Sequence, residues 1–313
     1  MKTYNNMNIK AIALAIAVSA ATTAMAQDTT TQNQDIDYGV TYVEPLFEYP
    51  IAPEELSDFT AKCDWLAENF WNPLDVKNQN AVDQVKLNHA FQVYATAAQY
   101  ASKDKVNAAI DKLLKNIQKN PTLLVQFTKA AEETIYGPRA EVWIDELYVR
   151  ILKSALASKK FPKTRRARYE SQLTQLENTL VGGSPAMFEF KRANGDDARY
   201  FPMSTPTIII FGDPGCDDCR MACLRLETNV AFNKAVTDGK INVLYIIPDA
   251  DPGWEKEVAG YPKSWAVGAS DSVAEIYDIR DIPDIYLIGS DGKIIAKHIG
   301  VMTAIQKSLE LIN

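Results

Sequence analysis

The spacing of apolar residues changes abruptly at Gly182-Gly183, and this change limits the folds open to the chain. Before the glycine pair, apolar residues recur at intervals of three and four, the period of amphipathic helices. After it, they form short runs rich in β-branched residues and bounded by turn residues, which is typical of strands. The chain of 313 residues is therefore predicted to hold two domains, each with its own core.

The helical pattern covers residues 46–182. Its first predicted helix begins near Pro53 and carries an apolar stripe of Leu56, Phe59, Cys63, Leu66 and Phe70. Similar stripes indicate further helices that begin near Leu87, Val106, Pro121, Val142 and Tyr169. We expect an all-α domain of five or six helices, the last one ended by the glycine pair.

Residues 183–313 read as an α/β domain. Strand-length apolar runs occupy residues 187–190, 207–211, 241–247, 285–288 and 294–298, and helical patterns lie at 216–237 and 302–312. Asn194-Gly195 and Asp291-Gly292 are typical hairpin turns between such runs. The predicted fold class is thus α+β with two domains, an all-α domain followed by an α/β domain around a central mixed sheet.

Residues 1–26 have the features of a secretory signal peptide. Lys2 and Lys10 supply positive charge around an apolar run too short to span a bilayer, and small residues precede the predicted cleavage after Ala26. Residues 27–45 are polar and aperiodic, as in a flexible linker. We expect an exported, for example periplasmic, protein without stable membrane insertion after cleavage.

The charge and the histidine content exclude several classes of function. The net charge is −7 with no long basic run, so nucleic acid is an unfavourable partner. The two histidines, His89 and His298, lie far apart and are interpreted as structural residues. Zinc sites built on two or three histidines are therefore not expected, and we predict no metal.

Cys216 and Cys219 form a CxxC motif that follows the strand-like run TIIIF and opens a predicted helix. Unpaired N–H groups and the positive end of the dipole at a helix N-terminus stabilise a thiolate. A second cysteine three residues later comes within disulfide reach of the first. Cys216 can therefore attack a disulfide, and Cys219 can resolve the mixed disulfide that forms.

The CxxC motif has two other interpretations. A zinc site is disfavoured because the sequence offers no second CxxC and no nearby histidine. A static structural disulfide stays open, in a binding or assembly protein whose helical domain docks a partner. On the redox interpretation, the site needs no cofactor beyond the Cys216–Cys219 disulfide itself.

Three stretches of residues 183–313 match one known family in order. They are Gly183-Ser184-Pro185-Ala186-Met187-Phe188, the run and CxxC at 207–219, and Ile279-Arg280-Asp281-Ile282-Pro283 followed by IYLIGSDGKII. On these residues the domain resembles the thioredoxin superfamily, and within it the exported TlpA/ResA-like branch that borders the AhpC/TSA families. This resemblance implies a thiol-disulfide oxidoreductase that acts on protein disulfides and is recharged by an unidentified thiol donor.

The resemblance also assigns roles to residues. It implies that Cys216 attacks, that Cys219 resolves, that Pro283 is a cis-proline, and that the backbone of Ile282 pairs with an extended substrate. The chain departs from the usual pattern at Gly215, where a tryptophan is common, and at Ile210, where a buried acid is common.

Other departures from the family bear on the chemistry. Asp213 stands where a peroxiredoxin needs threonine, which disfavours peroxidase chemistry. Asp217 and Asp218 lie between the cysteines, and we expect their carboxylates to tune the acidity of the first thiol by opposing the helix dipole. The sequence therefore predicts a reductant or isomerase more than a strong oxidant.

The remaining cysteines and the helical half carry weaker signals. Cys63 and Cys223 are predicted to be buried core thiols, and a bridge between them stays open. The helical half resembles the helical region of unknown function that precedes thioredoxin-like modules in exported bacterial proteins. The matching residues are Asn69-Phe70-Trp71-Asn72, Tyr136-Gly137-Pro138-Arg139-Ala140-Glu141 and Arg165-Arg166-Ala167-Arg168-Tyr169.

Overall fold

The computed structural model describes residues 43–77 and 81–312. The predicted signal peptide and nearly all of the predicted linker lie outside the described residues. The chain divides into two compact units between Phe161 and Pro162, here called the helical unit and the sheet unit. Within the described residues, no helix is both long enough and apolar enough to cross a membrane.

The described part of the helical unit contains five helices. They are α1 (Phe59–Asn69), α2 (Gln84–Ala98), α3 (Lys103–Ile117), α4 (Pro121–Ile135) and α5 (Asp145–Ala157). Aromatic residues of α2 and α4 surround Trp71, which follows α1. The Trp71 ring lies 5.0 to 5.6 Å from the rings of Phe70, Phe91, Tyr94 and Phe127. The predicted all-α character of this region is confirmed.

The first helix begins later than the sequence predicts. Asp58 caps it by accepting a hydrogen bond from the backbone N–H of Ala61 at 2.8 Å, so helical geometry starts at Phe59. The residues from Pro53 form a separate turn, closed by a bond from the N–H of Leu56 to the Pro53 carbonyl at 3.1 Å. The prediction that this helix starts near Pro53 is wrong because the aspartate is the stronger N-terminal signal.

Over its described residues, the sheet unit begins with a helix and continues with seven strands and five further helices. Its elements are α6 (Lys163–Asn178), β1 (Phe188–Arg192), β2 (Asp197–Tyr200), β3 (Thr207–Phe211), α7 (Asp217–Thr228), α8 (Val230–Thr237), β4 (Asn242–Ile247), α9 (Trp254–Glu257), a 3-10 turn (Val258–Gly260), β5 (Ala266–Ala269), α10 (Val273–Ile276), β6 (Asp284–Ile288), β7 (Ile294–Ala296) and α11 (Val301–Glu310).

The seven strands form one sheet in the order β2-β1-β5-β4-β3-β6-β7. The pairs β3–β4 and β4–β5 are parallel, and the other pairs are antiparallel. The predicted mixed sheet is therefore confirmed. All five residues of β3 are buried, as expected of an interior strand covered on both faces.

The two faces of β3 belong to two separate cores. Ile208 and Ile210 pack in one core with residues of α7, α8 and α11. Ile209 and Phe211 point to the other face, where Tyr277 and aromatic residues of β1 surround them. This alternation follows from the two-residue repeat of a strand, and it places α7 on a defined face of the sheet.

The sheet unit differs from the predicted domain in three respects. The helix α6 was predicted to belong to the helical domain, but it contacts α10 through bonds from Gln175 to the Ala274 carbonyl and from Asn178 to the Ile276 carbonyl. The predicted helix at 216–237 is two helices, because Asn229 ends α7 and caps α8. The short strand β5 was not predicted.

Candidate active site

The CxxC motif lies directly after the interior strand β3. The Gly212 N–H donates to the Ile246 carbonyl at 3.1 Å and so extends the pairing of β3 with β4 by one residue. A tight turn then leads into α7, with the Gly215 N–H donating to the Asp213 carboxylate at 2.7 Å and the Cys216 N–H to the Asp213 carbonyl at 3.1 Å. Asp213 thus holds the turn that presents Cys216, a role the sequence interpretation missed.

Cys216 is the N-cap of α7. Its backbone is extended, with φ −79° and ψ 126°, and its sulfur accepts a hydrogen bond from the Cys219 N–H at 3.3 Å. The thiol is partly exposed. An N–H donated to the sulfur at a helix N-terminus stabilises negative charge there, so this position suits a nucleophile that reacts with molecules in solution.

Cys219 has the opposite environment, because its side chain is fully buried. Burial is the main cause that raises the pKa of Cys219 well above the usual value of a thiol, and the neighbouring Cys216 raises it further. Cys223, one turn along the same helix, is also buried, and burial raises its pKa to about 11. The motif therefore joins one accessible thiol to one protected thiol.

Both aspartates of the motif are exposed in the first turn of α7. The Asp217 carboxylate forms an ion pair with the Arg220 guanidinium, three residues later on the helix. The sequence interpretation missed Arg220, although its spacing from Asp217 is the ordinary signal of a helical ion pair. The cation offsets the charge of Asp217 and leaves Asp218 as the carboxylate with more influence on the thiols.

The peptide bond between Ile282 and Pro283 is cis, as the resemblance implied. Asp284 follows it at the start of β6 and pairs with Phe211 at the end of β3. Because these strands are antiparallel, the turn that follows β3 and the Ile282-Pro283 segment that precedes β6 lie at the same end of the sheet. The side chain of Ile282 is 37% exposed there.

A buried group of charged side chains supports the Ile282-Pro283 segment. The Asp278 carboxylate accepts from the Arg280 guanidinium at 2.6 Å and lies 3.3 Å from the Lys297 ammonium and 3.4 Å from the His298 ring. His298 in turn contacts the Asp284 carboxylate at 2.9 Å. We call these five residues the Asp278 cluster.

The Asp278 cluster determines the charge of its own members. Burial alone would raise the pKa of Asp278, but the hydrogen bond from His298 and the charges of Arg280 and Lys297 outweigh it and hold that pKa far below its usual range. Burial likewise lowers the pKa of His298, yet its bonds to Asp278 and Asp284 make the net shift upward. His298 was predicted to be structural, and the charged partners were not predicted.

The two other predicted structural residues lie in the helical unit. Cys63 is buried on α1, and burial, together with Asp64 and Asp58, raises its pKa. His89 contacts the Tyr49 hydroxyl at 3.0 Å. All four cysteines of the chain lie among the described residues, and each is a free thiol.

Comparison with solved structures identifies the fold as thioredoxin-like. A thioredoxin-like protein from Bacteroides caccae superposes with a TM-score of 0.73, covering 86% of this chain and 99% of its own length at 18% sequence identity. A conserved protein of unknown function from Bacteroides fragilis is 28% identical over 41% of this chain and 98% of its own, with a TM-score of 0.39. The thioredoxin domain of a thiol-disulfide oxidoreductase from Bacteroides vulgatus is 19% identical over 42% of this chain and 98% of its own, with a TM-score of 0.36.

Sequence comparison identifies the family. Residues 17–179 match the family described as domain of unknown function DUF5106. Because this match covers more than half of the chain, the protein belongs to the DUF5106 family. Comparison with curated proteins gives no match. The predicted resemblance to a helical region of unknown function and the predicted thioredoxin-like fold are both confirmed, and the finer resemblance to the TlpA/ResA-like branch stays a prediction.

Proposed function

We propose that the protein is an exported thiol-disulfide oxidoreductase, a reductase or isomerase that exchanges disulfides of protein substrates through Cys216 and Cys219. One observation carries the proposal: a partly exposed cysteine caps a helix at the end of the central strand, and a fully buried cysteine follows it by one turn. This asymmetry separates an attacking thiol from a resolving thiol.

The exchange proceeds in two steps. The Cys216 thiolate attacks one sulfur of the substrate disulfide, so that a mixed disulfide forms and the other substrate sulfur leaves as a thiolate that takes up a proton. Cys219 then loses its proton, and its sulfur attacks Cys216. The Cys216–Cys219 bond forms, the bond to the substrate breaks, and the substrate leaves with both sulfurs reduced. A thiol donor that reduces the Cys216–Cys219 disulfide completes the cycle.

The end of the sheet beside Cys216 suits the binding of an extended polypeptide. Ile282 and Pro283 emerge beside the turn that presents Cys216, and the exposed side chain of Ile282 offers an apolar contact. An extended segment of the substrate would pair with the backbone of Ile282 and bring its disulfide to the Cys216 sulfur. We assign these two residues to substrate binding.

The expected route to this function begins with export. The signal peptide predicted over residues 1–26 would carry the chain to the periplasm or another exported location, where protein disulfides persist. A TlpA/ResA-like role in that compartment, with a thiol donor as electron source, agrees with the cysteine placement.

Reduction of insulin by dithiothreitol tests the proposal. The full chain without residues 1–26 is expected to shorten the lag before insulin precipitates, because the Cys216–Cys219 pair cycles between donor and substrate. The matched control is Cys63→Ser, which removes a buried thiol from the helical unit and should leave the rate unchanged. A chain no faster than dithiothreitol alone would favour a static disulfide in a binding protein.

The two aspartates of the motif should differ in their effect on the redox potential. Asp218→Asn is expected to raise the potential by about 20 mV, because one carboxylate no longer opposes the thiolate. Asp217→Asn should raise it less, because Arg220 already offsets that charge. Equilibration with glutathione buffers measures both values. Equal shifts in the two variants would show that the Asp217–Arg220 ion pair has no influence on the site.

A further inference from the structure

The resolving step poses a physical problem at Cys219. This thiol must ionise before it attacks Cys216, yet burial raises its pKa well above the usual value. The strand residue on the same face of the sheet, Ile210, is apolar and cannot assist. A buried thiolate needs a hydrogen-bond donor, because a charge without one is costly to bury.

Two buried hydroxyls lie in this part of the sheet unit. Tyr245 of β4 is paired in register with Ile210, and the Tyr261 ring follows the 3-10 turn, with ring centroids 5.1 Å apart in an edge-to-face arrangement. Both rings pack in the same core as Ala222 and Cys223 of α7. Each hydroxyl is buried and meets no partner at full hydrogen-bond geometry among the described residues, although the two hydroxyls and the Cys223 thiol lie close enough to shift one another's pKa.

The backbone brings the Tyr245 hydroxyl close to the start of the CxxC turn. A Cβ atom placed on Gly212 would lie 2.5 Å from the Tyr245 hydroxyl oxygen, so this residue has to be glycine for the hydroxyl to remain there. Gly212 is the first residue after β3, and Cys219 follows within the first turn of α7. The hydroxyl therefore lies beside the end of the strand, in the core to which α7 contributes Ala222 and Cys223.

The two phenols remain protonated when a thiol ionises. Burial is the main cause that raises the pKa of Tyr245, and charge on Tyr261, Cys219 and Cys223 raises it further. Burial also raises the pKa of Tyr261, and charge on Cys223 adds to this effect. A hydroxyl that holds its proton more strongly beside a thiolate is a hydrogen-bond donor and not a competing acid.

We propose that Tyr245, supported by Tyr261, is a positioning residue whose hydroxyl donates a hydrogen bond that stabilises the Cys219 thiolate in the resolving step. This inference rests on the proposed disulfide exchange through Cys216. The proton of Cys219 passes to solvent buffer, and the tyrosine keeps its own.

Several charged and titratable groups surround Cys219. On its own helix these are Cys216 and Cys223, with Asp217, Asp218, Arg220 and Arg225 exposed and Glu227 half-buried. Asp213, in the turn before the helix, lowers the pKa of Cys219 through a backbone hydrogen bond. Tyr245 and Tyr261 face it from the sheet side. The helices packed against α7 are α8 and α11, whose titratable residues Lys234, Lys307 and Glu310 are exposed. Because burial outweighs the backbone hydrogen bond of Asp213, the hydroxyl of Tyr245 is the candidate for a further donor to the thiolate.

The test separates the two steps with 5,5′-dithiobis(2-nitrobenzoate) and the reduced full chain. Attack by Cys216 releases a first thionitrobenzoate, and attack by Cys219 on the resulting mixed disulfide releases a second. Tyr245→Phe is expected to leave the first phase unchanged and to slow the second about tenfold at neutral pH, the effect of one hydrogen bond to a charged sulfur. The pH midpoint of the second phase should rise by about one unit.

Tyr200→Phe is the matched control. The Tyr200 hydroxyl is also buried without a hydrogen bond to a described residue, but it lies in the core on the opposite face of the sheet. This variant should match the wild type in both phases. Tyr261→Phe should slow the second phase by a smaller factor than Tyr245→Phe, and it serves as the test if Tyr245→Phe does not fold.

The outcomes are distinguishable. A second phase with wild-type rate and pH midpoint in Tyr245→Phe, or in Tyr261→Phe if that variant is the one that folds, would overturn the assignment of the hydroxyl. Equal slowing in Tyr200→Phe would overturn it as well. If the wild-type chain shows no first phase and does not reduce insulin, the proposed exchange itself fails, and the role of Tyr245 falls with it.

Discussion

Cys216→Ser is expected to abolish disulfide exchange, whereas Cys219→Ser is expected to accumulate mixed disulfides with substrate. Cys216 holds the accessible sulfur that accepts an N–H bond at the start of α7, and a serine hydroxyl there cannot attack a disulfide. The rate of insulin reduction should therefore fall to the uncatalysed background. In Cys219→Ser the first step still occurs, but the thiol that releases the substrate is absent.

Mass spectrometry of the trapped species checks these roles. The Cys219→Ser chain, mixed with a disulfide-bonded protein and quenched by alkylation, should carry the partner on Cys216. Cys223→Ser is the control. The Cys223 thiol is buried and burial raises its pKa to about 11, so we expect it neither to attack a disulfide nor to capture a partner, and its removal should leave exchange unchanged. Partner peptides attached to Cys223 would reverse the assignment.

Asp278→Asn is expected to produce the second large effect, this time through the fold. The Asp278 carboxylate is 2% exposed and contacts the charged side chains of Arg280, Lys297 and His298. Loss of a carboxylate from a buried ion pair destabilises a protein by about 3 kcal/mol or more. Amide hydrogen exchange in β6 should show this loss in the sheet unit.

The same change should affect activity. The Asp278 carbonyl accepts from the Tyr286 hydroxyl at 2.6 Å, and the Arg280 N–H donates to Asp284 at 3.2 Å, so the cluster fixes both ends of the segment that carries Ile282. We expect kcat/KM for a protein disulfide to fall roughly tenfold, because the segment no longer positions the substrate. Exchange with a small aromatic disulfide, which needs no such positioning, should change little.

The pH dependence distinguishes an electrostatic cause from a packing defect. The folded pKa of Asp278 is lowered, so its contribution to stability is present above the unfolded pKa of about 3.9 and is lost as the pH falls through the folded pKa. Because Asp278 also raises the pKa of His298, the difference between wild type and Asp278→Asn should grow as the pH falls through the range in which histidine titrates, and shrink in acid below about 4. Asp217→Asn, an exposed control, should change stability by less than about 0.5 kcal/mol. A gap that persists undiminished in strong acid would contradict the electrostatic account.

Much of the fold follows from local patterns in the sequence. The run at 207–211 is the strand Thr207–Phe211, and Pro121 begins its helix as predicted. These elements were predictable because apolar periodicity and N-terminal helix signals depend on near neighbours. Strand β5 was missed because four residues containing Gly268 show no alternation, and its place is determined by pairing with β4 and β1.

The candidate site was predictable where its chemistry is local. Cys216 and Cys219 could be found from spacing and from the strand before them, and the cis bond before Pro283 from the resemblance. The Asp278 cluster and the Tyr245–Tyr261 pair could not be found in this way. Their members lie on separate elements and meet only through the register of the sheet, although the charges that flank Ile282-Pro283 were a visible signal.

The most direct measurement is a redox titration of the full chain in glutathione buffers, with the disulfides identified by peptide mapping at each potential. We expect a reversible two-electron transition that joins Cys216 to Cys219, at a potential below about −180 mV and nearer to about −270 mV, with Cys63 and Cys223 reduced throughout. A Cys216–Cys219 bond that stays oxidised at every potential, or a transition that pairs other cysteines, would contradict the account.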